Sequence, residues 1–354
     1  MLATEIRAVA APESVALPTD PPFAWKQVVG AIDPFLQAVA RRSAEQIKAF
    51  DGEIAAYAEY ALTGQGKQLR PALVALSAGA TGKWNDSHVT VAVIIEMVHL
   101  ATLVHDDVMD EATIRRGRPT LAANWGNEIS VLLGDCLFAH ALKLAASFPT
   151  PEICRAVATA TNTVCSGEIL QTQRRRQFDL SRSEYFRVLE MKTGELFALS
   201  CDLGACQSGA GPGERAALRD FGMAIGTAYQ IYDDCLDMFG SEAKAGKSLG
   251  TDLAKGKLTL PILVLLDRAK GAELQKIKTL IGDWQPHYLP QIVKLMEAHE
   301  ALGSSREVIV EYLRRARQQL DRLPVSESRA SLNRLTDYLA QLTDALGGAG
   351  RMRL

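Results

Sequence analysis

Apolar and polar residues succeed one another here in long segments rich in Ala, Leu, Glu, Gln and Arg. Proline is absent from Ala72 to Arg118, from Glu152 to Gly211 and from Gly213 to Leu260. Segments of that composition and length without proline predict helices. Alternating β-branched runs bounded by turn pairs are nearly absent, so a sheet is not expected. Breaks are expected at Gly64–Gly66, Gly79–Asn85, Arg116–Pro119, Pro149–Pro151, Asp179–Ser183, Gly209–Gly213, Gly240–Gly256, Gly282–Pro286 and Pro324–Ser328. They divide the chain into roughly ten to thirteen helices. Ser181 or Ser183 with Glu184 reads as a helix start, and Ser326 opens the last long helix. The segment Ser87–Asp110 is apolar on nearly all faces, which places it in the middle of a bundle. Residues 1–22 are Ala/Pro-rich and read as a mobile tail, 23–347 as one all-α domain, and 348–354 as a flexible C-terminal tail.

Composition narrows the class. Apolar residues make up 47% and charged residues 23%, which excludes a disordered chain. Lys and Arg total 39 against 41 Asp and Glu, so no basic field argues for nucleic acid. The six cysteines form no CxxC pair, which argues against structural zinc and a disulfide framework and favours a reducing compartment. No apolar run reaches the ~18 residues of a membrane span; the best candidate, Leu258–Leu266, contains Pro261. The N-terminus has no signal-peptide core and carries Glu5, Glu13 and Asp20. A cytoplasmic location is the expectation.

The chemistry is concentrated in two acidic clusters. His105-Asp106-Asp107-Val108-Met109-Asp110 ends the apolar segment, with Asp106 and Asp110 four apart on one helix face. These anions stand at the helix end whose dipole disfavours them, so a cation should offset them. Mg2+ suits such oxygen donors and commonly adds a substrate phosphate. Alone, the cluster fits a helix cap or solvated acidic face equally well. A second copy, Asp233-Asp234-Cys235-Leu236-Asp237, ends another apolar helix 127 positions later (233 − 106). Two copies suggest facing carboxylate walls with metals bridging them to a diphosphate. Basic groups follow each cluster: Arg115-Arg116, then Lys247, Lys255 and Lys257 in a Gly-rich stretch. A third group is Lys67 and Arg70. Singly these read as solvated surface pairs; with two metal walls they describe a phosphate-ester site. Arg174-Arg175-Arg176 reads as a solvated helix end.

The motifs GKQLRP, HDDVMDEATIRRGRPT, GDCLFA, Ser166-Gly167-Glu168 with Gln171, Lys192-Thr193-Gly194, YQIYDDCLD and GTDLAKGKLTLP resemble the trans-isoprenyl (polyprenyl) diphosphate synthases over roughly residues 25–350, closest to the medium and long-chain, octaprenyl-type enzymes. Departures are small: no double glycine precedes Lys67, Gly194 stands where Ala is usual, and Met238-Phe239 replace a common Tyr. The resemblance implies an all-α isoprenoid synthase fold and residue roles. Asp106, Asp110 and Asp233 would be the main Mg2+ ligands, with Mn2+ a substitute; Asp107, Asp234 and Asp237 would act alongside them or through water. Arg115 would hold the allylic diphosphate, and Lys67, Arg70, His99 and Arg116 isopentenyl diphosphate. Lys192, Thr193 and Gln230 would contact the allylic substrate and the developing cation, and Lys247 and Lys257 would close over the diphosphate. The segment 240–256 is the candidate lid. His99, mid-helix on an apolar stretch, would otherwise be an ordinary core histidine.

The implied reaction is head-to-tail condensation to an all-trans polyprenyl diphosphate. Product length is a steric matter: Ala101 and Thr102, five and four residues before Asp106, are small. The tunnel should continue past Met97, Val98 and Ile94 against Cys136 and Ala139, giving a product longer than geranylgeranyl. A homodimer is implied, and release of an apolar product suggests peripheral membrane association. The competing readings are a non-catalytic regulatory subunit of a hetero-oligomeric synthase, a class I terpenoid cyclase or head-to-head synthase, and a generic helical scaffold.

Overall fold

The computed structural model describes residues 25–63, 66–242 and 248–347. The two tails, Gly64 and Lys247 lie outside the described residues. Helices α1 (Trp25–Val29), α2 (Asp33–Ile47), α3 (Gly52–Leu62) and α4 (Leu69–Thr81) lead into α5 (Asp86–Met109). Then come α6 (Leu121–Trp125), α7 (Asn127–Ala146), α8 (Glu152–Gln173), α9 (Arg182–Leu189), α10 (Glu195–Gln207) and α11 (Pro212–Phe239). The chain closes with α12 (Thr251–Ala254), α13 (Leu260–Arg268), α14 (Gly271–Gly282), α15 (Leu289–Ala298), α16 (Ala301–Leu320) and α17 (Glu327–Asp344). The expected breaks recur, and Lys48–Asp51, Gly126, Ala269–Lys270 and His299–Glu300 add further ones. Gly79 is instead absorbed into α4.

Local chemistry sets the helix ends. Asn85 starts α5 by accepting from the Ser87 amide at 3.0 Å, while His88 Nδ1 returns to the Asn85 amide. Ser181 and Glu184 form a reciprocal box at the start of α9, and Ser326 accepts from the Arg329 amide at 3.1 Å. α5 is the hub, packed on α7, α4, α10 and α2. It buries Val91, Val93, Ile94, Ile95, Val98 and Ala101 from every side, as an all-round apolar helix must.

By length and composition, two helices among the described residues could cross a membrane, contrary to expectation: Asp86–Met109 and Asn127–Ala146. The first is mostly buried core. The second is only a third buried, leaving Val131, Leu132 and Leu142 exposed. The chain is also not strand-free. Ile114–Arg115 pairs antiparallel with Arg118–Pro119 across a two-residue turn. Arg116 (φ 53°) and Gly117 (φ 73°) both take positive φ, as a type I′ hairpin requires. A turn that short sends neighbouring arginines in different directions.

Candidate active site

The first acidic cluster occupies the last turn of α5 and its cap. Asp110 closes the helix by donating its amide to the Asp106 carbonyl at 2.8 Å. The cations the helix dipole called for come from four elements. Arg115, on the hairpin, places Nε and Nη2 each 2.7 Å from Asp107 Oδ1. Lys257, after α12, reaches Asp110 Oδ2 at 2.6 Å, and Arg175, after α8, reaches Asp110 Oδ1 at 2.8 Å. Lys192 lies 3.4 Å from Asp106 Oδ2, bonds Gln171 at 3.1 Å and pairs with Glu168.

The two aspartates respond differently. Burial, then Glu168 and Asp110, push the Asp106 carboxyl up, with Lys192 and Lys257 partly offsetting them. Burial also opposes charge on Asp110, but Lys257, Lys192 and Arg175 outweigh it and hold that carboxyl below its ordinary range. Burial raises Asp107 despite Arg115. Lys192 stays a cation: burial opposes its charge, and Asp106 and Glu168 overcome it.

The second cluster lies inside the end of α11. Asp234 is buried, accepts the Tyr185 hydroxyl at 2.5 Å and the Gln230 amide at 2.9 Å, and is pushed up to about 8 by burial. Asp237 accepts from the Thr251 hydroxyl at 2.7 Å and the Asp252 amide at 3.2 Å, tying down the turn that opens α12. That anchor fixes the described part of the expected lid, and with it Lys257. Asp233 acts electrostatically on Arg116 and on Tyr229.

One short segment joins the clusters. Glu190–Gly194 is a π-helical turn between α9 and α10. Such turns are frequent at functional sites. Lys192 faces Asp106, while the next residue, Thr193, donates to Gln230 Oε1 at 2.8 Å, and Gln230 in turn donates to Asp234. The acidic clusters are therefore linked through Lys192 and Thr193. A cavity there is lined by Gln171, Lys192, Gln230, Asp234, Asp252 and Lys257.

Of the remaining basic residues, Arg70 and Arg116 lie close enough to act electrostatically on each other and on Glu96 and His99. Arg70 lies over the Phe197 ring at 4.9 Å, and Lys67 over the Tyr338 ring at 4.8 Å with its ammonium on the Tyr338 hydroxyl. Arg116 packs beside Gly66. His99 is held well below its ordinary range by burial and by Arg70, Arg116 and Arg115, so it is neutral and can accept one hydrogen bond and donate one N–H. Glu96, one turn before it, is raised by burial and opposed by Arg70 and Arg116.

Three side chains escaped sequence reasoning. Tyr185 stood seven residues, about two turns, before Lys192. Glu96 stood three before His99 on the same face. Arg175 had been read as solvated. Its place on Asp110 overturns that reading, because α8 ends beside the acid cluster rather than in solvent. The expected tunnel wall also differs. α7 turns Leu133 and Leu137 inward against Ala101, whereas Ala139 is exposed and Cys136 half-buried. Met97 and Val98 are buried as expected, and Thr102 is half-buried, its hydroxyl donating to the His99 carbonyl at 2.7 Å.

A family model described as polyprenyl synthetase matches residues 51–296. The chain belongs to this family. An octaprenyl diphosphate synthase of Escherichia coli (strain K12) is 35% identical over 283 residues, 80% of this chain and 88% of that one. A short chain isoprenyl diphosphate synthase of Methanothermobacter thermautotrophicus is 32% identical over 287 residues, again 80% and 88%. The crystal structure of a polyprenyl synthase from Caulobacter crescentus CB15, complexed with calcium and isoprenyl diphosphate, superposes with a TM-score of 0.85 at 31% identity, over 90% of this chain and 97% of that one. The helical bundle is thus the fold of the polyprenyl synthases, as the sequence motifs implied.

Among the described residues no three His, Cys, Asp or Glu side chains converge as a preformed metal cage. The donor set nonetheless fits a hard divalent cation. It is all oxygen, it is partly buried, and the chain's own cations already stand on Asp106, Asp107 and Asp110. Mg2+ needs only one or two carboxylates when phosphate and water complete its shell.

Proposed function

We propose that this polyprenyl synthase condenses an allylic diphosphate with isopentenyl diphosphate, head to tail, into an all-trans polyprenyl diphosphate longer than geranylgeranyl. The observation that carries the reading is the Lys192-Thr193 bridge, which aims one cation at Asp106 and ties the neighbouring residue to Gln230 and Asp234. Asp106, Asp110 and Asp233 would hold Mg2+, or Mn2+ in its place. Held there, such ions would supply positive charge to a diphosphate and so favour its departure.

The chain's residues then have distinct tasks. Arg115, Lys192 and Lys257 supply fixed positive charge where the leaving diphosphate gains negative charge, the kind of preorganised stabilisation that usually dominates catalysis. Lys67, Arg70, His99 and Arg116 would bind isopentenyl diphosphate. Thr193 and Gln230 present hydroxyl and amide oxygens towards the developing allylic cation. The proton lost after attack passes to the released diphosphate, and no protein nucleophile is required. The buried wall of α5 keeps water from the cation.

Relatives include both a short-chain and an octaprenyl enzyme, so length rests on the tunnel. Ala101 leaves no aromatic floor below Asp106, and the apolar path would continue past Met97 and Val98. Leu132 (60% exposed) on α7 and Ile169 (59%) on α8 leave apolar surface suited to a second copy of the chain, which supports a homodimer. The same apolar product supports peripheral membrane contact of a cytoplasmic enzyme.

The test is a product-length assay of the purified chain with Mg2+, isopentenyl diphosphate and each allylic primer. Incorporation of isopentenyl diphosphate into chains beyond geranylgeranyl is expected, and Asp106→Ala or Asp233→Ala should abolish it without unfolding the chain. Products formed without isopentenyl diphosphate would favour a cyclase. Turnover only with an added partner would favour a subunit of a hetero-oligomer.

A further inference from the structure

The basic triplet after α8 carries chemistry that the reading above leaves unused. Asp110 is gripped on both oxygens: Arg175 Nη2 lies 2.8 Å from Oδ1 and Lys257 Nζ 2.6 Å from Oδ2. The two cations arrive on segments that are themselves joined. The Arg176 amide donates to the Gly256 carbonyl at 2.7 Å. Gly256 has φ +74°, and a Cβ there would come within 2.6 Å of Arg176 Cγ. Only glycine lets the loops lie this close. Arg176 itself takes φ 61°, so the backbone on both sides is bent to make the contact.

Arg175 is also underused. Its Nε is buried and has no hydrogen-bond acceptor. Nε and Nη2 are the two teeth of the side-on guanidinium fork, which suits two oxygens of one acceptor. Asp110 fills one tooth only, because its other oxygen is held by Lys257. A buried, unfilled charged donor is costly and calls for a partner.

We propose that Arg175 is a further diphosphate-binding residue, and that the Arg176–Gly256 bond holds it in register with Lys257 as one two-pronged anion clamp over Asp110. The inference rests on the prenyltransferase reading. A diphosphate oxygen arriving at Asp110 would fill the Nε tooth, and Arg175 and Lys257 would then share their charge between carboxylate and phosphate.

Two variants test this: Arg175→Gln, which removes the charge, and Arg175→Lys, which keeps it without the fork. Inorganic pyrophosphate is titrated calorimetrically into the full chain with Mg2+, Mn2+ binding is followed by electron paramagnetic resonance with and without pyrophosphate, and melting curves confirm the fold. Arg175→Gln should weaken pyrophosphate roughly tenfold or more, the size expected for one charge-assisted hydrogen bond. Arg175→Lys should recover part of the loss. Mn2+ affinity without pyrophosphate should hold or improve, because Asp110 loses a competing cation. Unchanged pyrophosphate affinity would overturn the proposal. So would weaker Mn2+ binding without pyrophosphate, which would make Arg175 a mere prop for Asp110. Because these readouts are binding equilibria, they remain decisive even if the wild-type chain fails to incorporate isopentenyl diphosphate. That failure would count against the reaction, not the clamp.

Discussion

Ala101→Phe probes the product tunnel most directly. Ala101 is fully buried and packs in a cluster with Leu133 and Leu137 of α7 and Ala58 of α3. It lies five residues before Asp106, so at 1.5 Å per residue the substitution sits about 7.5 Å down α5 from the acid rim. Val98 and Ile94, eight and twelve residues before Asp106, lie at about 12 and 18 Å on the same scale. A carbon chain with bonds of about 1.5 Å advances roughly 5 Å for each five-carbon unit of four backbone bonds. Along the proposed path, three to four units therefore span the distance to Ile94, and a phenyl ring at 101 would close it after one or two. Products should fall to about two units. Overpacking should cost about 1–3 kcal/mol, so the variant should remain folded with a lowered melting temperature. Chromatography of dephosphorylated products reads the length. A folded, active variant with an unshifted product distribution would refute the tunnel along this face of α5.

Arg115→Gln should lower stability by about 1–3 kcal/mol, because Asp107 would be left buried without its two-pronged partner, and it should raise KM for the allylic diphosphate; an unchanged KM would remove Arg115 from that site. In metal-free protein, burial keeps Asp234 protonated up to about 8, whereas its carboxyl ionises near 4 when unfolded. The folded state thus binds the extra proton between those values, and stability falls as pH rises through that window. Melting temperature should decline from pH 5 to 8, and Asp234→Asn should flatten the slope; an identical slope would place the linkage elsewhere. The proposed homodimer predicts that Leu132→Glu, on the exposed face of α7, sediments as a monomer where the unaltered chain sediments as a dimer, and an unaltered mass would move the interface to another surface.

Much was legible in the residues themselves. The all-round apolar α5, the Ser181–Glu184 box, the Ser326 cap and the paired acidic clusters follow from local rules of spacing and capping, which need no partner. Tyr185 was hidden because a tyrosine in a short amphipathic helix has nothing local to mark it; only the packing of α9 on α11 brings its hydroxyl to Asp234. The charge on Arg174–Arg176 was visible, but its direction depends on where α8 ends.

The sequence by itself determined which groups exist: two carboxylate clusters on helix ends, arginines on a tight turn, and a small residue at 101. Tertiary structure decided their pairing. Whether Arg175 meets water or Asp110, and whether α7 offers Leu137 or Ala139 to the tunnel, depends on rotations and close approaches between helices distant in the chain. Those are set by packing the whole core at once, not by any local pattern.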